Sequence, residues 1–578
     1  MLSQFVAFTS LGRRALPNQY DVLALVLIFA AFIAAAHLSS GLTLPIAAPE
    51  STVTSLDYAL LPYYALRTTL RMFAAMGLSL VFTFIYATLA AKSRRAELVL
   101  IPILDVLQSV PILGFLSFTV TFFLGLFPGS ILGAECAAIF AIFTSQAWNM
   151  AFSFYQSLRS VPRDLTEVAQ GFQLSGWQRF WQLDAPFAMP GLIWNMMMSM
   201  SGGWFFVVAA EAISVGDTTI KLPGIGSYLA LAIEQKRIDA VFAAIVAMAV
   251  VILLYDQLLF RPLVAFGSRF RVELSAGQVE ARSWVAQMFA RTRWLRALTH
   301  PPAQLFQSIA LLRLQWPRAA VRPGAANPLM GRIIDIVWLL AIAAVILWAG
   351  RQIVQYVSTE LSWSDFWVSV EYTCFTMLRV IILMILATIV WVPVGVWIGL
   401  RPRIAEKVQP LAQFLAAFPA NVIFPIAVVL ILRFSLNPDI WLSPLIVFGT
   451  QWYILFNVIA GASAFPNDLK EAVAGFRIRG WDWWKSVIIP AVFPFYVTGA
   501  LTASGGSWNA AIVAEYVKWG DKTISAHGIG AYIAKATEDG DFPKIVLGVA
   551  VMSVFVILFN RLLWRPLFGL AERRLRLD

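Results

Sequence analysis

The sequence predicts an all-α polytopic membrane protein: two homologous six-helix halves in parallel repeat, about twelve transmembrane helices in all. Three observations carry this. Sixty per cent of the 578 residues are hydrophobic and only 13% are charged, against about 25% charged in a soluble domain, and the mean hydropathy is +0.75. Apolar runs of about 20 residues, enough to cross a hydrocarbon core of ~30 Å, recur along the chain. One polar, interrupted stretch occurs twice, 304 residues apart, each time between apolar runs.

Lipid offers the backbone no hydrogen-bond partners, so runs of this length cross as helices. In the first half the spans read roughly 20–38, 68–91, 97–127, 131–158, 187–214 and 239–262. The first run, Val22 to Leu38, is longer than a signal-peptide core and has no small-residue cleavage site after it, so it reads as a retained helix. Arg13 and Arg14 precede it, and Lys92, Arg94 and Arg95 follow the second span. Cationic residues collect on the cytoplasmic side, which puts both ends of the half, and both chain termini, in the cytoplasm. The second half repeats the plan near 332–356, 370–400, 408–434, 439–463, 491–518 and 543–565. Equal parity makes the duplication parallel rather than inverted. The expected domains are a first half, 1–265, a basic cytoplasmic linker, 266–330, and a second half, 331–578.

Composition excludes several functions. The net charge of +11 follows from membrane topology and needs no nucleic acid. The two cysteines, Cys136 and Cys374, and the three histidines, His37, His300 and His527, share no ligand spacing, so no metal centre or haem is expected. No GxxxxGK[ST] loop occurs. The chain is expected to carry no cofactor and no catalytic residue, and to hydrolyse no ATP itself. The stretch 263–330 has nine arginines and two glutamates. Its segment 283–299 suits a helix on an anionic membrane surface, and equally a solvated connector.

The repeated stretch runs from Pro162 to Pro186 and from Pro466 to Pro490, with nine of 25 aligned positions identical. Proline suits the first helical position, and Asp164 and Asp468 complement the start of a helix dipole. Glu167 and Gly171, like Glu471 and Gly475, are four apart and share a face, and glycine lets another surface approach it. A second short amphipathic piece, Trp177 to Leu183, follows. Two short helices at an angle would make a cytoplasmic knob for the cleft of a soluble partner.

The Glu-(Ala/Val)-x-x-Gly spacing resembles the EAA loop of ATP-binding-cassette importer permeases. Further on, Ser201–Glu211 and Ser507–Glu515, followed by Gly224-Ile-Gly-Ser-Tyr228 and Gly528-Ile-Gly-Ala-Tyr532, are similar to the nitrate/sulfonate/taurine branch. The resemblance covers about residues 60–265 and 365–570. It departs in fusing both halves, and in reading Glu-Val-Ala in the first loop. It implies a bacterial inner-membrane permease that imports a small anion: a sulfonate, nitrate, bicarbonate or organic acid. It also implies two cytoplasmic ATP-binding subunits (or a dimer of one) on the knobs, and a periplasmic or lipid-anchored substrate-binding protein outside. The alternative is a secondary transporter driven by an ion gradient, which would have no partner for the knobs.

Polar residues inside apolar spans are functional candidates by default. Gln146, Asn195, Ser199, Trp204, Gln451, Thr502, Trp508 and Asn509 are candidates for the translocation path. Interhelical packing is the competing reading. Arg71 and Arg379 begin the second spans, and Glu211 and Glu515 lie at the far ends of the fifth. Equal depth predicts two ion pairs, Arg71 with Glu211 and Arg379 with Glu515, as a latch at the outer gate; snorkelling to headgroups is the alternative. The segments 215–238 and 519–542, each with Gly-Asp and Gly-Ile-Gly turns, are expected outside, where the binding protein docks.

Overall fold

A computed structural model describes residues 55–215, 218–267, 284–292, short stretches between 301 and 313, 328–463, 465 and 467–574. The expected span 20–38, with Arg13 and Arg14, lies outside the described residues, as do Pro466 and the turn Gly216-Asp217.

In the first half, α1 (Leu61–Lys92) is followed by α2 (Arg94–Ser109), α3 (Leu116–Leu126), α4 (Ile131–Arg159) and the short α5 (Arg163–Gly171). Then come α6 (Gly176–Ala210), strands β1 (Ala212–Val215) and β2 (Thr218–Lys221), α7 (Ile225–Glu234) and α8 (Ile238–Gly267). In the linker, α9 (Trp284–Arg291) buries Val285 and Met288 at the foot of α8.

The second half opens with α10 (Pro328–Glu360) and α11 (Trp363–Gly399), then α12 (Pro402–Ala417), α13 (Phe424–Phe434), α14 (Pro438–Phe448) and α15 (Gln451–Ser463). The short α16 (Asn467–Gly475), α17 (Gly480–Ala514), β3 (Tyr516–Trp519), β4 (Lys522–Ser525), α18 (Ile529–Asp539) and α19 (Phe542–Ala571) complete it. Among the described residues, every element of the second half apart from α10 has a counterpart in the first, α14 and α15 together matching α4. Even the π-helical turns recur at one offset: Phe180–Asp184 with Trp484–Ile488, and Asp256–Phe260 with Asn560–Trp564.

Eight helices among the described residues are long and apolar enough to cross a membrane, nine if α14 and α15, bent by 42°, count as one. The fold is an all-α membrane bundle of two like halves. Two expectations need correction. The spans 97–127 and 408–434 are not continuous helices. Each breaks before a 3₁₀ turn, Ile112–Phe115 or Ala420–Val422, because Pro111 and Pro419 disfavour helical geometry at the preceding residue.

The broken pieces cross over. Ile112, Leu113 and Leu116 pack into the core of the second half, and Val422 into that of the first. Ile112 N donates to Asn509 Oδ1 (2.7 Å) and Asn421 Nδ2 to Phe205 O (3.0 Å). Each half therefore braces the fifth span of the other.

The sequence reading also missed two antiparallel hairpins, β1–β2 and β3–β4. Val517 pairs with Ile524 and Ile213 with Ile220. A two-residue Gly-Asp turn between such strands is a hairpin signal, and Gly520 supplies the positive φ of 58°. This turn touches the first half: Gly520 N donates to Ile233 O (3.0 Å), and Lys236 Nζ lies 2.7 Å from Asp521 Oδ2. The Lys236 ammonium, by its hydrogen bond, holds the Asp521 carboxyl below its ordinary range. A depressed carboxyl stabilises above the unfolded pKa (~3.9) and loses that contribution as pH falls through the folded value. Hydrogen exchange at Gly520 N should thus be faster in Asp521→Asn than in wild type near pH 6, and alike once the carboxylate is protonated.

Candidate functional site

Two features emerge: a buried ion cluster at the hairpin end of each half and an exposed knob at the opposite end.

Glu211 is the C-cap of α6 and is fully buried. Its Oε1 accepts from Arg71 Nη1 (2.6 Å) and Thr68 Oγ1 (2.7 Å), and its Oε2 from Gly226 N (2.7 Å). Ile225 N donates in turn to Thr68 Oγ1 (3.0 Å). The start of α7 thus aims its free N–H groups at a carboxylate, where they and the helix dipole favour negative charge. The second half repeats this. Glu515 Oε1 accepts from Arg379 Nη1 (2.9 Å) and Thr376 Oγ1 (2.8 Å), Oε2 from Gly530 N (2.8 Å), and Ile529 N donates to Thr376 Oγ1 (3.0 Å).

The Gly-Ile-Gly motif follows from this geometry. A Cβ on Gly224 or Gly528 would collide with the Glu211 or Glu515 carboxylate, and one on Gly226 or Gly530 with Val208 O or Ala511 O. Gly224→Ala and Gly528→Ala should each cost about 1–3 kcal/mol as overpacking. A fall in the monodisperse fraction on fluorescence-detected size exclusion checks this.

Each arginine also holds a second carboxylate that the pair expectation did not include. Arg71 binds Glu135 through Nε (2.5 Å) and Nη2 (2.7 Å), and Arg67 Nη2 reaches Glu135 too (2.9 Å). Arg379 Nη2 binds Asp439 Oδ1 (2.8 Å). Glu135 and Asp439 lie 304 residues apart, the offset of the docking repeat, so that signal was available. Thr68 and Thr376, three residues before the arginines, were missed as well. The halves differ in balance. Arg67, Arg71, Glu135 and Glu211 are all buried. In the second cluster the place of Arg67 is taken by Phe375, and Asp439 turns to His527, accepting from its N–H (2.7 Å) and facing Nδ1 at 3.0 Å. His527 is 69% exposed.

At the other end, α5 exposes Asp164, Glu167, Gly171 and, just beyond it, Phe172 (74%). Its counterpart α16 exposes Glu471, Gly475 and Phe476 (81%); Asp468 lies on this helix, its side chain outside the described set. A Cβ at Gly171 or Gly475 would meet nothing within 4 Å. The expected second short helix is corrected: Trp177 to Leu183 is the foot of the continuous α6, opened by a Ser175–Gln178 capping box. Asp184 ties this foot to Lys92 of α1 (3.2 Å). The linker touches the first knob, where Trp177 Nε1 and Gln178 Nε2 donate to Ile309 O and Leu311 O (both 2.8 Å).

The path candidates separate. Trp204 and Trp508 are buried against the last span of their own half, Trp204 edge-on to Tyr255 (5.9 Å) and Trp508 near Phe559 (6.5 Å). Gln146 is buried beside Met200, and Ser199 is buried. Asn195 donates to Ser153 Oγ (2.7 Å) within the first half, and Gln451 accepts from Trp391 Nε1 (2.9 Å) within the second. Asn509 on α17 accepts from Ile112 N of the first half (2.7 Å), while Thr502 is exposed and donates to Thr498 O of its own helix (3.0 Å).

The bundle, its duplication and its repeated exposed knobs define a two-fold membrane core of the permease class. The chain matches the family described as "Binding-protein-dependent transport system inner membrane component" twice, at residues 79–261 and 391–576, and it belongs to that family. It is a multi-pass inner-membrane component. Similar proteins include the bicarbonate transport system permease protein CmpB of Synechococcus elongatus, 30% identical over 177 residues (30% of this chain, 60% of that one). The nitrate import permease protein NrtB of Leptolyngbya laminosa is 26% identical over 185 residues (32% and 62%). The glycine betaine/carnitine transport permease protein GbuB of Listeria monocytogenes is 28% identical over 174 residues (29% and 54%). The matched stretch spans about 60% of the length of the first of these relatives.

Proposed function

We propose that this chain forms the two-fold membrane core of an ATP-driven importer of a small anion. One observation carries the reading: each half presents an exposed helix, α5 or α16, that runs through a short turn into the fifth span, whose far end holds the buried glutamate of the ion cluster. Cytoplasmic ATP-binding subunits would grip the knobs at Glu167, Gly171, Glu471 and Gly475. Their closure would pull α6 and α17, and the strain would reach Glu211 and Glu515. The ion clusters would act as the outer latch, and the hairpins as the mouth that receives a binding protein outside the membrane. Both termini would then be cytoplasmic, with the domains divided as 1–265, 266–330 and 331–578. The bicarbonate and nitrate named for the relatives favour an anion.

Affinity purification from native membranes in mild detergent tests this. ATP-binding subunits should co-purify at two per chain, with vanadate-sensitive ATP hydrolysis. A chain recovered alone, from cells whose uptake collapses with a protonophore, would favour the gradient-driven reading.

A further inference from the structure

We infer that the linker is part of the first knob's docking surface: the stretch 307–312, with Leu305 before it, contacts the ATP-binding subunit that sits on α5, and the second knob does without it. This rests on the permease reading above and says how its two docking sites differ.

The foot of α6 holds the linker through two side chains. Trp177 Nε1 donates to Ile309 O, and Gln178 Nε2 to Leu311 O (both 2.8 Å). Gln178 has a second task. Its Oε1 accepts from Ser175 N (3.0 Å) and closes the capping box. One amide thus starts the fifth span with its acceptor and grips the linker with its donor. The residues 304 positions on are Trp481 and Asp482. Asp482 is exposed, and a carboxylate has no proton to offer a carbonyl. Trp481 is 72% exposed, whereas Trp177 is half-buried. Among the described residues, the indole that meets the linker in the first half is open in the second.

What the linker adds at the first foot is apolar. Leu305, Ile309, Leu311 and Leu312 are all exposed. Only the turn 172–175 separates this foot from α5, and Val168 on α5 and Phe172 just beyond it are exposed too. Exposed apolar groups gathered at one place mark a contact with a protein or a membrane. Residues 301–312 include no charged residue, whereas a helix held on anionic lipid is rich in lysine and arginine. The occupant is therefore a protein face, and continuity with the knob makes it the subunit docked there.

Photo-crosslinking of the full chain in native membranes tests this, with a photoreactive residue at Leu305 or Leu312. Both positions should capture the same GxxxxGK[ST]-bearing subunit that Phe172 captures. Trp177→Phe with Gln178→Glu keeps the aromatic ring and the capping box but removes both donors. It should lower capture from Leu305 and Leu312 about tenfold, the ratio that ~1.4 kcal/mol represents, as for two ordinary hydrogen bonds. Capture from Phe476 should stay as in wild type, which shows that the variant is folded. The wild-type crosslinks need no variant, so they remain decisive if it misfolds. Capture of lipid alone or of a different protein from both linker positions would overturn the inference, as would capture undiminished in the folded double variant. Phe172 is the separate readout: where it still captures the subunit, the permease reading stands.

Discussion

Arg71→Ala should be among the most damaging single substitutions in this chain, lowering stability by about 3–5 kcal/mol, the usual cost of removing one partner from a buried ion pair. Arg71 holds two buried carboxylates at once. Without it Glu135 keeps Arg67, but Glu211 keeps only Thr68 and the Gly226 N–H. Arg379→Ala should cost less, because Asp439 is 36% exposed and has His527 beside it, so water and imidazole compensate. Thermal unfolding of the variants in nanodiscs checks the order; Arg379→Ala equal to or worse than Arg71→Ala would contradict it. Exchanging Arg71 and Glu211 is not expected to rescue function. The new glutamate at 71 would sit against Glu135.

The second large effect concerns coupling. Gly171→Trp with Gly475→Trp should leave thermal stability within about 0.5 kcal/mol of wild type, as for substitutions far from packed features, because among the described residues a Cβ at either glycine meets nothing within 4 Å. Bound ATP-binding subunits should nevertheless be lost, since the bulk blocks the face that Glu167 and Glu471 share with these glycines. Normal co-purification and transport by the double variant would remove the docking role.

How much of this was legible in the sequence depends on the range of the forces. Spans set by apolar length read directly, as in α1, α4 and α8. Breaks set by single prolines did not, because Pro111 and Pro419 interrupt an apolar composition that still suits a membrane helix. The hairpins hid behind the expectation that a membrane chain is helical throughout, although Val517, Thr523 and Ile524 flank a Gly-Asp turn. In the ion clusters, depth arithmetic brought Arg71 near Glu211 and Arg379 near Glu515. It puts Glu135 and Asp439, at the outer starts of α4 and α14, at the same depth too, but depth alone does not say which side chains meet, and these meet the arginines only through tertiary packing. Trp204 is a polar-edged ring within a span, yet its burial follows from Tyr255 on a distant helix.

The most direct measurement of the central claim is site-specific photo-crosslinking in native membranes from a photoreactive residue at Phe172 or Phe476. The account predicts that both positions capture a soluble protein carrying a GxxxxGK[ST] phosphate loop, and that Gly171→Trp with Gly475→Trp abolishes both crosslinks. Crosslinks to lipid alone at both positions, in membranes that still take up the anion, would contradict it.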